Sequence, residues 1–178
     1  MATPKLFHVS EEKDLVLFRP RPAPTPQPDL TRPVVWAVDE EHLPNYLLPR
    51  DCPRICFAPG DRATPEDRLR FTGNEAATRV IVVEDAWRDR IEACRLFVYE
   101  FPVGDFRLHD VDAGYWLASA DIRPIDCVEI GDVVAEILGR GAELRFQESL
   151  WAIRDAIMRS SLVFSIIRMR NAQPRPDA

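Results

Sequence analysis

The sequence predicts an α+β fold, in which a single domain carries a largely antiparallel mixed sheet and short peripheral helices. Strand-like segments outnumber helical ones along the chain, and the helical segments are short. The two kinds of segment do not alternate in the regular βαβ units that a doubly wound fold requires. A chain of 178 residues can bury one sizeable core, so we expect one globular domain over residues 1–170. Residues 171–178 are polar and proline-containing, and we expect a flexible C-terminal tail there.

The first half of the chain combines strands with proline-rich connections. An apolar run predicts a first strand over Lys5–Val9, and the runs "PVVWAV" and "RICF" predict two buried strands further on. Prolines recur across residues 19–33, which disfavours a helix and favours an extended surface loop. Pro44 can start a short helix and Pro49 cannot continue it, so about one helical turn is expected between the second and third strands.

The second half of the chain contains the predicted helices. Thr64 as N-cap and Pro65 at the first helical position predict a helix over "TPEDRLRF". Further helices are expected at "DAWRDRIEAC", "GDVVAEILGRG" and "SLWAIRDAIMRS", the last with Ser149 as its N-cap. Strands are expected at "RVIVVE", "RLFVYEF", "FRLHD", "GYWLA" and "AELRF", and also at "LVFSIIRM", where β-branched residues favour a strand over a longer helix.

Composition excludes several classes of function. The net charge of −6 argues against general binding of nucleic acid or of anionic membranes, which needs a basic surface. No apolar run is long enough to span a membrane, and the first residues lack the apolar core of a secretory signal. Four scattered cysteines do not form a disulfide framework, so we expect a cytoplasmic protein with reduced thiols.

Familiar catalytic motifs are missing from the sequence. It contains no GxSxG, no Walker loop and no GxGxxG, and its seven glycines form no phosphate-binding cluster. His42, Asp51, Cys52 and Cys56 are residue types that bind zinc. Four residues along a strand span about 13 Å, however, so the two thiols cannot easily share one ion. We therefore expect buried, inert thiols and no metal site.

The segment "LPNYLLPRDCPR" is the strongest candidate for a binding site. Its three prolines restrict the backbone, which would fix four side chains for a ligand, namely Asn45, Tyr46, Arg50 and Arg54. The two arginines suit an anionic group, because the guanidinium fork matches phosphate. The alternative is a rigid connector in which Tyr46, Leu47 and Leu48 fill the core, while Arg50 and Asp51 satisfy backbone groups.

Two further sets of charged residues have both a binding and a structural interpretation. Arg168 and Arg170, two residues apart, can bind phosphate or form structural salt bridges. Asp39, with the two glutamates that follow it, suits either acid–base chemistry or the start of a helical turn, and we favour the structural interpretation.

Four segments of the chain resemble a bacterial family of domains of unknown function. They are "LFHVSEE", "VVWAVDEEHLPNYLLPRDCPR", "GYWLASADIRPI" and "FSIIRMRNAQPR". The resemblance covers nearly the whole chain, and it implies no particular chemistry.

A second resemblance concerns a shorter pattern. A first strand ending in His-x-Ser, an aromatic residue on the second strand and the segment "GYWLAS…IRPI" are similar to the ADP-ribosyltransferase-like superfamily. The resemblance implies an NAD-binding domain with an unknown acceptor. It assigns a ribose-orienting catalytic role to His8 and a catalytic role to Glu143. It places Ser10 at the NAD ribose with His8, and Trp36 or Tyr115 as the aromatic residue that packs the nicotinamide. We add Tyr46, Arg50 and Arg54 of the proline-rich segment as candidate NAD contacts, with Arg50 or Arg54 holding the pyrophosphate.

The alternative to this NAD-dependent transferase is a non-catalytic module. Such a module would bind a small ligand or a protein, with the proline-rich loop at residues 19–33 as a contact for a partner.

Overall fold

The structure, a computed structural model, describes residues 4–23, 30–73 and 78–176. The strands in these ranges are β1 Leu6–Ser10, β2 Val35–Asp39, β3 Arg54–Ala58, β4 Arg79–Glu84, β5 Leu96–Phe101, β6 Arg107–Asp110, β7 Tyr115–Ala118, β8 Asp126–Ile130, β9 Ala142–Gln147 and β10 Val163–Ile167. The α-helices are α1 Pro65–Thr72, α2 Arg88–Ala93, α3 Val133–Gly139 and α4 Trp151–Ile157. Short 3-10 helices lie at Leu43–Tyr46, Asp85–Trp87, Val103–Asp105 and Met169–Asn171.

The strands are divided between two sheets, each in its own compact unit. Unit 1 comprises Met1–Leu43 and Leu96–Ile130, and unit 2 comprises Pro44–Arg95 and Gly131–Ala178. The α+β class is confirmed, with two mostly antiparallel sheets in place of the one we expected. The prediction of one domain over residues 1–170 stays a prediction. No linker in the sequence marks the two units, because the chain passes between them three times.

Unit 1 contains a six-stranded antiparallel sheet. Its strand order is β6-β7-β2-β1-β5-β8. Strand β1 lies between β2 and β5, and its register pairs Leu6 with Asp39 on one side and with Phe101 on the other. One face of this sheet carries an aromatic-rich core of buried residues, namely Leu6, Phe18, Val35, Ala37, Phe97, Tyr99, Phe101, Phe106, Ala118 and Ile122. This core accounts for the apolar alternation of the central strands.

Unit 2 contains a four-stranded sheet in the order β10-β3-β4-β9. Strands β4 and β9 are parallel, and the other pairs are antiparallel. Every residue of the central strand β4 is buried, which explains the continuous apolar run over its four inner residues, 80–83. The core on one face of the sheet consists of Ile55, Phe57, Phe71, Val80, Val82, Leu150, Ile157 and Leu162.

The helix boundaries test the capping predictions. Thr64 caps α1 as expected, since its hydroxyl accepts a hydrogen bond from Asp67 N at 3.2 Å, and Gly73 ends the helix with φ 61°. The predicted cap of α4 differs by one residue. Leu150 is the N-cap without a side-chain bond, and Ser149 Oγ instead accepts from Trp151 N at 3.3 Å.

The C-terminal segment makes several contacts within unit 2. Asn171 Nδ2 donates to Asp51 O at 2.7 Å, and Trp151 Nε1 donates to Gln173 O at 2.8 Å. Arg175 forms an ion pair with Asp155. Residues 177–178 lie outside the described residues, and a flexible tail over 171–178 stays a prediction.

The structure describes only part of the proline-rich loop. Residues 24–29 of the loop lie outside the described residues. The two ends of the loop are joined by a pair of backbone hydrogen bonds between Arg21 and Val34, both of 3.0 Å.

Among the helices that the structure describes, none has the length and apolar character needed to cross a membrane.

Candidate functional site

His8, the predicted ribose-orienting residue, lies against the aromatic core of unit 1. Its Nδ1 donates to the Trp36 carbonyl at 3.0 Å. The ring centroids of Phe18 and Phe101 lie 5.0 and 6.1 Å from that of His8. The strand register places it on the same face as Leu6, because side chains of the same parity share a face.

Trp36 and Tyr115, the predicted stacking residues, do come together. Their ring centroids are 5.2 Å apart in an edge-to-face arrangement. The register pairs Phe7 with Val38, and Val38 with Tyr115, so Trp36 and Tyr115 share the face of Phe7. They therefore lie on the opposite face of the sheet from His8, and the structure does not unite the three side chains at one site.

Ser10 and Glu143 are both engaged in local contacts. Ser10 Oγ accepts a hydrogen bond from Glu12 N at 3.0 Å, which closes a turn after β1. In unit 2, both carboxylate oxygens of Glu143 accept from Arg145, at 2.7 and 2.9 Å. Arg145 also donates to the Phe71 carbonyl at 2.6 Å. Hydrogen bonds from Arg145 lower the pKa of Glu143, which is therefore an ionised member of a structural network.

Asp39, His42 and Gly114 form a contact in unit 1 that sequence reasoning did not predict. Asp39 Oδ1 accepts from His42 N at 3.0 Å and from His42 Nδ1 at 2.7 Å. The Gly114 carbonyl accepts from Asp39 N at 3.1 Å, and Gly114 has a φ of 66°. The aspartate thus holds the turn that follows β2, as the structural interpretation predicts. The sequence signal was the spacing of three residues between the aspartate and the histidine.

The proline-stiffened segment is filled by its own leucines. Leu47 is fully buried and Leu48 is 2% exposed. The guanidinium of Arg54 lies over the half-buried ring of Tyr46, 5.8 Å from its centroid. Tyr46 and the two leucines thus lie as the rigid-connector alternative predicts. Arg50 and Arg54, in contrast, lie close enough to Arg168 for their charges to act on it.

Arg54 is a buried cation at the start of β3. The residue is 4% exposed, and its Nη1 donates to the carbonyls of Cys52 at 2.9 Å and Pro49 at 3.3 Å. Its Nε–H is buried and has no hydrogen-bond partner. Across residues 4–23, 30–73 and 78–176, no carboxylate forms an ion pair with it. A buried guanidinium with an unpaired N–H and no ionic partner among the described residues is costly and calls for an explanation.

Three more arginines surround this position, and we call the set Arg50, Arg54, Arg168 and Arg170 the arginine cluster. The pairing of Ile167 with Arg54 brings the end of β10 beside the start of β3. Arg168 Nε donates to the Arg50 carbonyl at 3.3 Å, which joins the two segments. Arg168 has a φ of 55°, a conformation that is uncommon outside glycine and that accumulates at functional sites.

The arginine cluster contains an excess of positive charge. Burial lowers the pKa of Arg168, and the charges of Arg170, Arg50 and Arg54 lower it further. Among the described residues that act on Arg168, the Asp51 carboxylate raises its pKa. Arg170 is exposed, and within the described part of the chain it pairs with no carboxylate. The cluster therefore offers several guanidinium groups to an anion.

An open groove of about 570 Å³ adjoins the arginine cluster, and we call it the C-terminal groove. It is lined by Trp151, Arg154, Met158, Ile166, Met169, Arg170, Ala172, Gln173 and Pro174. Arg170 belongs to both features. The groove therefore combines an apolar floor with a cationic end.

The thiols of Cys52 and Cys56 are buried in unit 2. Burial raises the pKa of Cys52 to about 12 and that of Cys56 to about 11. Such thiols stay protonated near neutral pH and are poor nucleophiles. Within the described ranges, no three His, Cys, Asp or Glu side chains are grouped closely enough to hold a metal ion.

Thiol labelling should separate these cysteines from Cys127, which is exposed. With Ellman's reagent at pH 8, we expect rapid reaction of Cys127 and no reaction of Cys52 or Cys56 until the protein is unfolded in urea. Mass spectrometry of labelled peptides identifies the sites. Labelling of Cys52 or Cys56 in the native protein at the rate of Cys127 would contradict their burial. A Cys127→Ser variant is the matched control.

A protein-family model matches residues 7–172 of the chain. The chain belongs to the family of unknown function DUF6886. No curated protein and no solved structure is significantly similar to it. The resemblance to a family of unknown function is thus confirmed. The resemblance to the ADP-ribosyltransferase-like superfamily gains no support from these comparisons.

Proposed function

We propose that this protein is a non-catalytic binding module that captures an oxyanion, of the phosphoryl type, at the arginine cluster of unit 2. One observation carries the proposal: Arg54 is a buried cation with an unpaired Nε–H, and Arg168, which follows the β10 residue paired with Arg54, lies near both Arg54 and Arg170. A buried guanidinium that is held by carbonyls but has no ionic partner and one unpaired N–H is costly. A bound anion would remove most of that cost.

The chemistry of the arginine cluster suits a dianion. Guanidinium groups donate in a planar fork that matches the oxygens of phosphate, and such bonds are stronger than neutral ones. The hydrogen bonds from Arg168 to Arg50 and from Asn171 to Asp51 fix the two backbone segments before a ligand arrives. A site that is already ordered loses less entropy on binding.

The contacts of the other candidate residues support binding over ribosyl transfer. His8 is held by the Trp36 carbonyl and by the aromatic core of unit 1, and Glu143 is held by Arg145. A catalytic acid–base or nucleophilic group needs access to a substrate atom. Binding of NAD through its pyrophosphate remains one case of the same anion chemistry, and a titration can include it.

Phosphate should stabilise the wild-type protein against urea. At a concentration about 100 times the dissociation constant, the expected gain in unfolding free energy is ~2.7 kcal/mol. The measurement is urea unfolding in phosphate and in sodium chloride of equal ionic strength, with calorimetric titration of phosphate, pyrophosphate, ADP and NAD. Arg168→Gln and Arg170→Gln should each reduce the gain, because each removes a guanidinium from the arginine cluster.

The matched control is Arg62→Gln, which removes an exposed arginine elsewhere in unit 2. This variant should keep the full effect of phosphate. Equal stabilisation by sodium chloride, or the same response in Arg168→Gln and wild type, would reject the proposal. Binding of pyrophosphate and NAD with equal loss in Arg168→Gln would favour a nucleotide over free phosphate.

A further inference from the structure

Strand β10 is a free edge of the unit 2 sheet. It occupies one end of the strand order and pairs with β3 alone. No other described segment forms a backbone hydrogen bond with it. Proteins usually protect such an edge with lysine, proline or a covering element. The five residues of β10 contain neither lysine nor proline, so its outer N–H and C=O groups form a template for another strand.

The side chains beside this edge are apolar and partly open. The register pairs Phe164 with Phe57 and Ile166 with Ile55, so both β10 side chains share the face of the unit 2 core. Phe164 is 37% exposed, and Met158 of α4 is 51% exposed. Methionine adapts its shape to different apolar side chains. The C-terminal groove therefore continues the apolar face of the sheet past its last strand.

Charge indicates which partner fits this edge. The lining of the C-terminal groove contains Arg154 and Arg170 and no carboxylate. Arg154 is paired with Asp155, whereas Arg170 pairs with no described carboxylate. Complementary charge selects a partner and disfavours basic competitors. An acidic segment is the complement of this groove.

We propose that β10 and the C-terminal groove bind an extended acidic peptide of a partner protein. The peptide backbone pairs with the outer edge of β10, one apolar side chain enters the groove, and one anionic side chain reaches Arg170 and Arg168. This inference rests on the proposed function, because it makes the captured oxyanion a side chain of the peptide. Strand addition of this kind combines backbone affinity with specificity from alternate side chains.

The dimensions allow such a peptide. Five residues of strand span about 17 Å, so a peptide paired with β10 presents two or three side chains to the face of Phe164 and Ile166. One of these contacts Met158 and Ile166 in the groove. The next position toward the end of β10 lies beside Arg168, where an acidic or phosphorylated residue meets the arginine cluster.

An oriented peptide library tests the inference. The probes are fluorescein-labelled heptapeptides with a fixed phosphoserine, aspartate or serine and with apolar or polar residues at alternate positions, measured by fluorescence anisotropy. We expect phosphoserine and aspartate peptides with an apolar residue two positions away to bind, and serine peptides to bind at least about tenfold more weakly. N-methylation of alternate backbone amides should abolish binding, because it removes the donors to β10.

Variants of the protein separate this inference from the proposed function. Met158→Glu should weaken peptide binding by about tenfold or more and leave inorganic phosphate binding unchanged. Arg62→Gln, which lowers the net charge by the same single unit elsewhere in unit 2, should leave both unchanged. Phosphate binding without binding of any peptide, or insensitivity to N-methylation, would overturn the inference and leave the function in place. If the wild-type protein bound neither phosphate nor any peptide, both the inference and the proposed function would be rejected. Sedimentation showing a dimer that Met158→Glu dissociates would make a second copy the occupant and overturn it too.

Discussion

Replacing Gly114 with alanine should lower the unfolding free energy of the protein by about 2–4 kcal/mol. Gly114 has a φ of 66°, where an L-residue with a Cβ is strained. A Cβ built there lies 2.3 Å from His42 Nδ1, far inside van der Waals contact. The imidazole cannot retreat freely, because Asp39 Oδ1 holds the same Nδ1 at 2.7 Å. Urea unfolding followed by tryptophan fluorescence measures the loss.

Two variants test the two causes of this loss separately. Gly104→Ala, also in unit 1, adds a methyl group where no atom lies within 4 Å and no positive φ is present, and it should change stability by less than about 0.5 kcal/mol. In a double-mutant cycle, Gly114→Ala should cost less in a His42→Ala background, because the clashes with the ring atoms Nδ1 and Cγ are removed, while the backbone strain and the 2.7 Å approach to His42 Cβ remain. An equal cost in both backgrounds would show that the imidazole is not the obstacle.

Replacing Glu84 with alanine should lower the unfolding free energy by about 3 kcal/mol. The residue ends β4 and is fully buried. Its carboxylate accepts from Gln173 N, at 3.0 and 3.1 Å to its two oxygens, and from the Leu150 backbone N–H. Alanine leaves a cavity and removes the acceptor from both amides. Hydrogen exchange of the Gln173 backbone amide should become faster. Chemical denaturation alone would not detect this local effect.

Glu84→Gln is the matched control for the shape of the side chain. Its amide oxygen still accepts from a backbone N–H, so we expect about half the loss seen for alanine. Equal stability of wild type and Glu84→Ala, with unchanged exchange at Gln173, would show that the carboxylate does not hold the C-terminal segment.

The ionisation of Glu84 predicts how the stability of the protein depends on pH. Burial raises its pKa above the ordinary value of 4.5, so the folded protein holds this proton more tightly than the unfolded chain. The stability that comes from this proton is fully present below pH 4.5 and is lost as pH rises through the folded pKa. The difference in stability between wild type and Glu84→Gln should therefore shift against wild type as pH rises above 4.5. A difference that is flat with pH would contradict the raised pKa.

Local patterns in the sequence predicted much of the fold. The continuous apolar run of β4, the Thr64 cap of α1 and the β-branched residues of β10 each give a local signal, and each element lies where it was expected. Capping and side-chain periodicity act over a few neighbouring residues, so one sequence suffices to detect them. The sequence did not predict the division into two units, because each sheet is formed by strands that are distant in sequence.

Local sequence patterns also did not predict which residues of the candidate site lie together. Arg50, Arg54, Arg168 and Arg170 were each candidates for an anion, yet their sequence positions do not show that they belong together. His8, Trp36 and Tyr115 were expected at one site, and the register of β1, β2 and β7 places them on opposite faces of a sheet. A shift of one residue in strand register moves a side chain to the other face.

The sequence by itself determined the α+β class, the order of the elements and which residue types are suited to bind an anion. Only the tertiary structure decided that Ile167 pairs with Arg54, and so that the charges of Arg50, Arg54 and Arg170 act on Arg168. The physical reason is that strand pairing joins segments more than a hundred residues apart. Its register depends on how both segments fill a shared core, and neither segment specifies that core alone.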